Sequence, residues 1–216
     1  PYSDKTLIRN VLIYRWWNKM GRYATRSKFC ELILNGSYQG VYVLFEQIKW
    51  DENRVDIAKM DKNDNAGDSL TGGYIIKIDK PVGGDGEFDW QTKIDTFQGL
   101  ACSTSFQYDY PKDDRITEEQ KEYIEHFVDE LQRTLASKEF NDPETGYNKF
   151  LDASSFIDFF LIQELAHNVD AYKSSTYLHK KRNSEGGKLH AGPIWDFNLS
   201  LGNTTGCEGE STEGWA

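Results

Sequence analysis

The feature that most constrains the fold is an apolar helix-forming segment in the second half of the chain. Residues 152–169 read DASSFIDFFLIQELAHNV, in which apolar side chains occupy most positions from Phe156 to Ala166. A helix that is apolar on most sides has to be surrounded by other elements. We therefore expect this helix to be largely buried, with Asp152 as its N-cap and the rest of the fold built around it.

Two other segments have the apolar spacing of helices. Residues 4–20 combine a wide apolar face with Asp4 as a candidate N-cap and Gly21 as the stop. Residues 116–137 have an acidic first turn followed by apolar residues at helical spacing. The sequence therefore predicts three substantial helices.

The remaining periodic segments predict strands. Two β-rich runs, 29–36 and 40–48, are joined by NGSYQG, a strong hairpin signal. Residues 71–79 form another apolar strand pattern, and strand-like pieces occur within 81–115. Residues 175–197 predict a second hairpin that turns at a glycine-rich loop, 184–187, while the polar segment 51–69 is expected to be a loop.

The predicted fold class is α+β. A β-rich part with an N-terminal helix, residues 1–115, precedes a helical part with a β-hairpin, residues 116–216. The abrupt start at Pro1 and end at Ala216 lead us to expect a single domain truncated at both ends.

Composition excludes several partner classes. The net charge of −10 argues against general affinity for nucleic acid or an anionic membrane, because both favour basic surfaces. No apolar run reaches the roughly 18 residues needed to span a bilayer. Three cysteines, Cys30, Cys102 and Cys207, are too few for a disulfide scaffold, and their pairing is left open.

Acidic residues mark two candidate site segments. Asp170 follows the apolar helix, and Asp196 and Asn198 follow Trp195 in GPIWDFNLSLG. In an extended chain residues two apart share a face, so Asp196 and Asn198 would present two oxygens suited to a metal ion or a phosphate. An ordinary strand end, and a helix or turn cap at Asp170, explain the same residues without a ligand.

The order of these elements is typical of a kinase catalytic lobe. There, a loop acid orients the acceptor hydroxyl and a second acid, after a short hairpin, holds magnesium on the phosphates. Asp170 and Asp196 have that order. Lys77 in the strand 71–79 is the candidate phosphate-binding cation, with Glu46 as its expected ion-pair partner, although an ordinary surface lysine is the commoner situation.

Other chemistries have weaker signals. His179 and His190 face each other across the second hairpin and could bind a metal, but we expect them to be surface histidines. The chain has no HExxH, CxxC or GxSxG pattern. The loop DKNDNAGDS at 61–69 offers oxygens for calcium but lacks the EF-hand pattern, so a flexible acidic loop is the preferred interpretation.

Four blocks of the chain together resemble the CotH kinase family of spore-coat CotH-like proteins, and the resemblance covers nearly the whole chain. The blocks are DKTLIRNVL, LILNGSYQGVYVLFEQIK, NVDAYKSSTYLHK and GPIWDFNLSLG. The resemblance implies an atypical, two-lobed protein-kinase-like fold and, for active members, ATP- and Mg²⁺-dependent phosphorylation of serine on a protein acceptor. Within it, Asp170 resembles the catalytic-loop acid, Asp196 the metal-binding acid, and Glu46 the family's glutamate, with Lys77 a weaker assignment.

The chain also departs from the family's pattern at two predicted metal ligands. Ser175 stands where active members usually have asparagine, and Asn198 where the second acid of W-D-x-D is expected. Both changes weaken metal affinity. The alternative is a pseudokinase, or a protein- or glycan-binding module on the same fold. By resemblance alone, the expected location is secreted or at the cell surface.

Overall fold

A computed structural model describes residues 3–80, 88–92, 96–97, 100–101 and 103–216. Within this part, none of the helices has both the length and the apolar character needed to cross a bilayer. Cys30 and Cys207 are free and exposed, and Cys102 lies outside the described residues. The pairing of Cys102 therefore stays open.

The first helix, α1, is shorter than the sequence predicts. It spans Arg9–Lys19, because Leu7 adopts a left-handed conformation (φ 62°) that a helix cannot include. Asp4 nevertheless caps the helix from outside, since its Oδ2 accepts a hydrogen bond from the Arg9 N–H at 3.1 Å. Gly21, at φ 83°, ends the segment as predicted.

The hairpin predicted around NGSYQG forms, and among the described residues its two strands pair only with each other. Strand β1, Ser27–Leu34, runs antiparallel to β2, Ser37–Phe45. Asn35 and Gly36 both have positive φ, 49° and 78°, as a type I′ turn requires. Most side chains of the hairpin are exposed.

A five-stranded antiparallel sheet forms the centre of the fold, in the order β4-β7-β3-β8-β9. Its strands are β3 Tyr74–Ile78, β4 Trp90–Gln91, β7 Ser105–Tyr110, β8 Thr176–Lys180 and β9 Leu189–Ala191. A short helix, α2, Gly67–Leu70, precedes β3, and a small hairpin joins β5 Thr96–Phe97 to β6 Leu100–Ala101.

The central sheet takes strands from both sides of residue 115. Strand β3 pairs with β7 on one side and with β8 on the other. The class is α+β, as predicted. The boundary between the parts 1–115 and 116–216 stays a prediction, and the sheet joins them through β3 and β8.

Helix α3, Glu118–Ala136, begins with a capping box made by Thr117 and Gln120. It packs on the sheet through Tyr123, whose ring stacks on Tyr74 at 6.0 Å between centroids. The same helix covers Lys180, which is fully buried. The Lys180 Nζ donates to the Thr71 carbonyl and lies 4.5 Å from the Phe127 ring centroid. Burial lowers the pKa of Lys180 to about 8.

Helix α4, Ala153–Ala166, is half-buried, and the expectation that it is largely buried is wrong. Asp152 caps it as predicted, accepting from the Ser155 N–H at 2.8 Å. One face packs on α1 and β9. The opposite face is apolar and largely exposed, although the rings of Tyr172 and Trp215 pack against Phe160; its members are Ile157, Phe160, Leu161 and Leu165.

The two histidines of the second hairpin are half-buried rather than fully exposed, which corrects this expectation. His179 and His190 pair across β8 and β9, and their rings stack at 5.1 Å and 11°. The His179 Nδ1 lies 2.9 Å from the Gly192 carbonyl. Burial, reinforced by the neighbouring His190, lowers the pKa of His179 from 6.5 to about 4. A stacked, neutral pair does not have the geometry of two metal ligands.

Ser155 gives a test of how α4 is attached to the sheet. Its hydroxyl donates to the Asp152 carbonyl at 2.7 Å and accepts from the buried Ala191 N–H at 3.0 Å. We expect Ser155→Ala to lower the free energy of unfolding by about 1–3 kcal/mol, because the Ala191 N–H is left unpaired. Urea unfolding measures the change. Ser3→Ala, at an exposed serine, is the control, and equal effects of the two substitutions would contradict the assignment.

The buried histidine predicts how stability depends on pH. Because the pKa of His179 is about 4 in the folded state and 6.5 without burial, the unfolded chain binds more protons between these values. The contribution of neutral His179 to the free energy of unfolding is therefore complete above the pKa of 6.5 that it has in the unfolded chain. This contribution is lost as pH falls. We expect His179→Gln to remove about 2 kcal/mol of the acid-induced loss of stability between about pH 7 and about pH 5.

Urea midpoints at the two pH values measure this difference. His126→Gln serves as the matched control because His126 is exposed on α3. If His179→Gln and the wild type lose the same stability over this range, the histidine is not buried in the manner described.

Candidate functional site

The C-terminal end of α4 positions the first predicted acid. His167 ends the helix in a left-handed conformation, φ 44°, which turns the chain sharply away from the helix axis. Asn168 is buried and ties the loop to the helix, since its Nδ2 donates to Gln163 Oε1 at 2.9 Å. Asp170 follows, with its carboxylate free of hydrogen bonds and ion pairs within the described part of the chain.

The second acidic segment reaches the same end of α4. The Leu201 N–H donates to the carbonyl of Ala166, the last residue of the helix, at 2.8 Å. This hydrogen bond holds the loop that contains Asp196 against the helix end from which the Asp170 loop departs. The structure thus brings the two predicted acidic segments to one end of one helix.

Asp196 and Asn198 do meet, but not on a strand. Residues 192–199 have no strand conformation, and Asp196 has a positive φ of 56°. The turn brings the Asn198 Nδ2 to 2.6 Å from Asp196 Oδ1, to which it donates. The predicted extended conformation is wrong here, and a turn brings the two side chains together.

Helix α1 contributes two site residues that sequence reasoning missed. Asn10 Oδ1 accepts from the Phe197 N–H at 2.6 Å, and its Nδ2 donates to Asn198 Oδ1 at 3.0 Å. The Tyr14 hydroxyl accepts from the Asp196 N–H at 3.2 Å. Asn10 and Tyr14 are one helical turn apart, so their spacing in RNVLIY was a signal that the two side chains share one helix face.

These residues line a cavity of about 390 Å³. Its apolar wall is aromatic, with Tyr14 stacked on Trp195 at 6.2 Å and Phe45 of β2 edge-on to both rings. Burial raises the pKa of Tyr14 well above its ordinary value, so the hydroxyl remains protonated. The cavity is lined by Asn10, Tyr14, Tyr42, Val43, Phe45, Trp195, Asp196 and Asn198; Asp170, Ser175 and Lys77 are not among them.

The expected ion pair between Lys77 and Glu46 does not form. Glu46 instead pairs with Arg26 at 2.5 Å and Arg54 at 3.8 Å. The hydrogen bond from Arg26 is the main cause that lowers the pKa of Glu46. Glu46 follows β2 at the base of the hairpin, where its carboxylate is close to these two arginines rather than to Lys77 of the central sheet. The expected pairing is therefore wrong.

Lys77 instead connects to the Asp170 loop through Asp79. The Lys77 Nζ lies 3.8 Å from Asp79 Oδ2. Asp79 Oδ1 accepts from the Ser174 hydroxyl at 3.1 Å and from the Ser175 N–H at 3.4 Å. Ser175 therefore faces this link with its backbone, and Asp79 is a further residue that the sequence analysis did not assign to the site.

The donor set near Asp196 fits magnesium only as a partial site. In the described part of the chain no three His, Cys, Asp or Glu side chains converge as metal ligands. Asp196 Oδ2 has no hydrogen-bond partner among the described residues, whereas the Asn198 amide oxygen already accepts from Asn10 Nδ2. Magnesium is commonly held by one or two carboxylates together with substrate phosphates and waters, so Asp196 is the unengaged ligand of such a partial site.

The anchoring role of Asn10 is directly testable. We expect Asn10→Ala to destabilise the protein by about 1–3 kcal/mol, because the Phe197 N–H loses its acceptor next to a fully buried side chain. Hydrogen exchange at the Phe197 amide should accelerate in parallel. Arg15→Ala changes an exposed residue of the same helix and is the control. Unchanged Phe197 exchange in Asn10→Ala would show that Asn10 does not hold the loop.

Comparison with known proteins adds one finding to this geometry. A comparison with curated proteins finds no match. The family described as "CotH kinase protein", in contrast, matches residues 1–215, which is essentially the whole chain. The chain thus belongs to the CotH kinase family.

Proposed function

We propose that the protein is an atypical kinase of two-lobed, kinase-like arrangement that transfers the γ-phosphoryl group of ATP to serine on a protein acceptor. One observation carries the proposal: Asp196 lines a cavity with Asn198 and Asn10, and the segment that contains it is bonded through Leu201 to the end of α4 from which the Asp170 loop departs. Family membership supports the reaction class. Because phosphoryl transfer depends mainly on positioning and charge neutralisation, two acids on loops anchored to helices α4 and α1 are suited to it.

Asp196 and Asn198 are the residues that would hold Mg²⁺, which supplies charge neutralisation on the phosphate oxygens. Asn10 positions both by fixing the Phe197 N–H and the Asn198 amide. Lys77, restrained by Asp79, is the cation assigned to the phosphates. The Lys77 assignment no longer includes Glu46, whose carboxylate is engaged by Arg26 and Arg54.

Asp170 is assigned to the acceptor. Its carboxylate, which makes no hydrogen bond in the described part of the chain, takes the proton of the serine hydroxyl. The serine oxygen forms a bond to the γ-phosphorus, the bond between that phosphorus and the β–γ bridging oxygen breaks, and ADP leaves with the electron pair. Ser175 contributes through its N–H to Asp79, with its hydroxyl as an additional neutral oxygen for the metal.

The second candidate function is a pseudokinase or a binding module on the same fold, secreted or at the cell surface. Asp196 is the one carboxylate that lines the cavity among the residues that the structure describes, and its Oδ1 is already engaged by Asn198. A site with this little negative charge holds magnesium weakly unless a nucleotide contributes. The two candidates therefore differ in whether nucleotide binding depends on magnesium.

Thermal melting separates the two candidates. At a nucleotide concentration about 100 times Kd, binding adds about 2.7 kcal/mol, which raises Tm by on the order of 5–10 °C for a chain of this size. We expect this rise with ATP and magnesium together, and not with ATP alone. Asp196→Ala should abolish it, while Asp113→Ala, an exposed acid outside the cavity, should retain it.

Asp170→Asn distinguishes binding from transfer. We expect it to keep the magnesium-dependent rise in Tm but to lose phosphoryl transfer, because the amide cannot take the serine proton. Wild-type protein that shows no magnesium-dependent shift at saturating ATP would refute the kinase proposal and favour the binding module.

A further inference from the structure

A second concave surface adjoins the candidate site. Two cavities of about 540 and 740 Å³ have five lining residues in common. Together we name them the basic groove. The residues common to both are Lys49, Trp50, Tyr110, Lys112 and Arg115. Lys59 and Lys62 extend the groove at the outer end.

The charge of the groove is opposite to that of the chain. Acidic residues outnumber lysine and arginine by 35 to 25 in the whole sequence. The groove instead brings five cations together with three carboxylates, those of Asp61, Asp109 and Asp114. An excess of positive charge collected in one concavity of an acidic protein attracts anionic ligands locally.

Three of these cations have no counter-ion. Lys112 pairs with Asp109 at 3.0 Å and Arg115 with Asp114 at 3.7 Å. The ammonium groups of the other lysines, in contrast, make no ion pair within the described part of the chain; they are Lys49, Lys59 and Lys62. These exposed ammonium groups remain available to an external anion.

The groove is built on ordered backbone. The Tyr110 hydroxyl accepts from the Met60 N–H at 2.9 Å and donates to the Met60 carbonyl at 3.1 Å. This fixes the loop of Lys59 against β7. Trp50 lies 5.7 Å from the Tyr110 ring and 5.9 Å from the Lys59 Nζ. The aromatic floor and the cations are thus held in place before any ligand arrives.

The groove reaches the candidate site through a shared wall. Trp195 lines both the groove and the cavity that contains Asp196. Tyr177 also lines the groove and is the register partner of Lys77 across β3 and β8. A ligand in the groove therefore extends directly from the place where we assign phosphoryl transfer.

We propose that the basic groove binds an acidic segment of the protein acceptor, in the same chain as the serine that is phosphorylated. This inference rests on the proposed kinase function and adds the class of acceptor to it. Unpaired lysines match aspartate and glutamate side chains of an extended peptide, and Trp50 and Tyr110 provide apolar contact beneath them. A long nucleic acid fits less well, because the net charge of −10 repels it outside the groove.

The test is peptide binding in the absence of nucleotide, measured by fluorescence anisotropy. The probe is a labelled peptide of alternating glutamate and glycine around one serine, compared with its lysine counterpart. We expect the acidic peptide to bind and the lysine peptide not to bind. Lys59→Glu together with Lys62→Glu should raise the Kd of the acidic peptide by roughly tenfold or more. Lys59→Gln with Lys62→Gln should give a smaller loss.

The matched control is Lys28→Glu together with Lys138→Glu, which changes the net charge equally at exposed lysines outside the groove. Its Kd for the acidic peptide should stay within about twofold of the wild type. The magnesium-dependent rise in Tm with ATP should persist in both pairs. This readout separates failure of the groove from failure of the kinase proposal.

Three outcomes would overturn the inference. The first is that the acidic peptide does not bind, or that the groove and control variants raise its Kd equally. The second is that the groove variants lose the ATP-dependent rise in Tm while the controls keep it, which would assign the groove to the nucleotide. The third is that a single-stranded oligonucleotide competes for the same lysines as tightly as the peptide, which would remove the preference for an acidic protein segment.

Discussion

The geometry of the candidate site depends on one side chain, the amide of Asn10. It holds the Phe197 N–H and the Asn198 amide at the same time, and Asn198 in turn holds Asp196. The loop itself has a positive φ at Asp196, a conformation that a non-glycine residue keeps only where its surroundings fix it. The first helix is therefore as much a part of the site as the acids are.

The sequence predicted the elements that local patterns determine. The hairpin at Asn35 and Gly36 follows from their tolerance of positive φ, and the predicted cap Asp152 marks the start of α4. The two candidate acids were singled out because each follows an apolar segment, and their roles stay predictions. These features depend on residues close together in the chain, which is why a pattern can reveal them.

Features that depend on distant residues could not be predicted in this way. Nothing near Glu46 in the sequence indicates that Arg26 and Arg54, rather than Lys77, reach its carboxylate. The half-exposed face of α4 was missed because composition reports how apolar a helix is, but not how many neighbours it has. The stacking of His179 on His190 was missed for the same reason, since register alone does not determine burial.

The position of β3 at the centre of the sheet has a consequence for how the chain acquires its structure. Strand β3 and its partner β7 precede β8 by a long stretch of chain that includes α3 and α4. During synthesis, the apolar edge of β3, with Ile75 and Ile76, emerges well before the strand that will cover it. An unpaired apolar edge can pair with another chain. We therefore expect the nascent protein to be most vulnerable to aggregation until Thr176–Lys180 has left the ribosome. A premature stop before that point would leave an aggregation-prone fragment rather than a smaller folded domain.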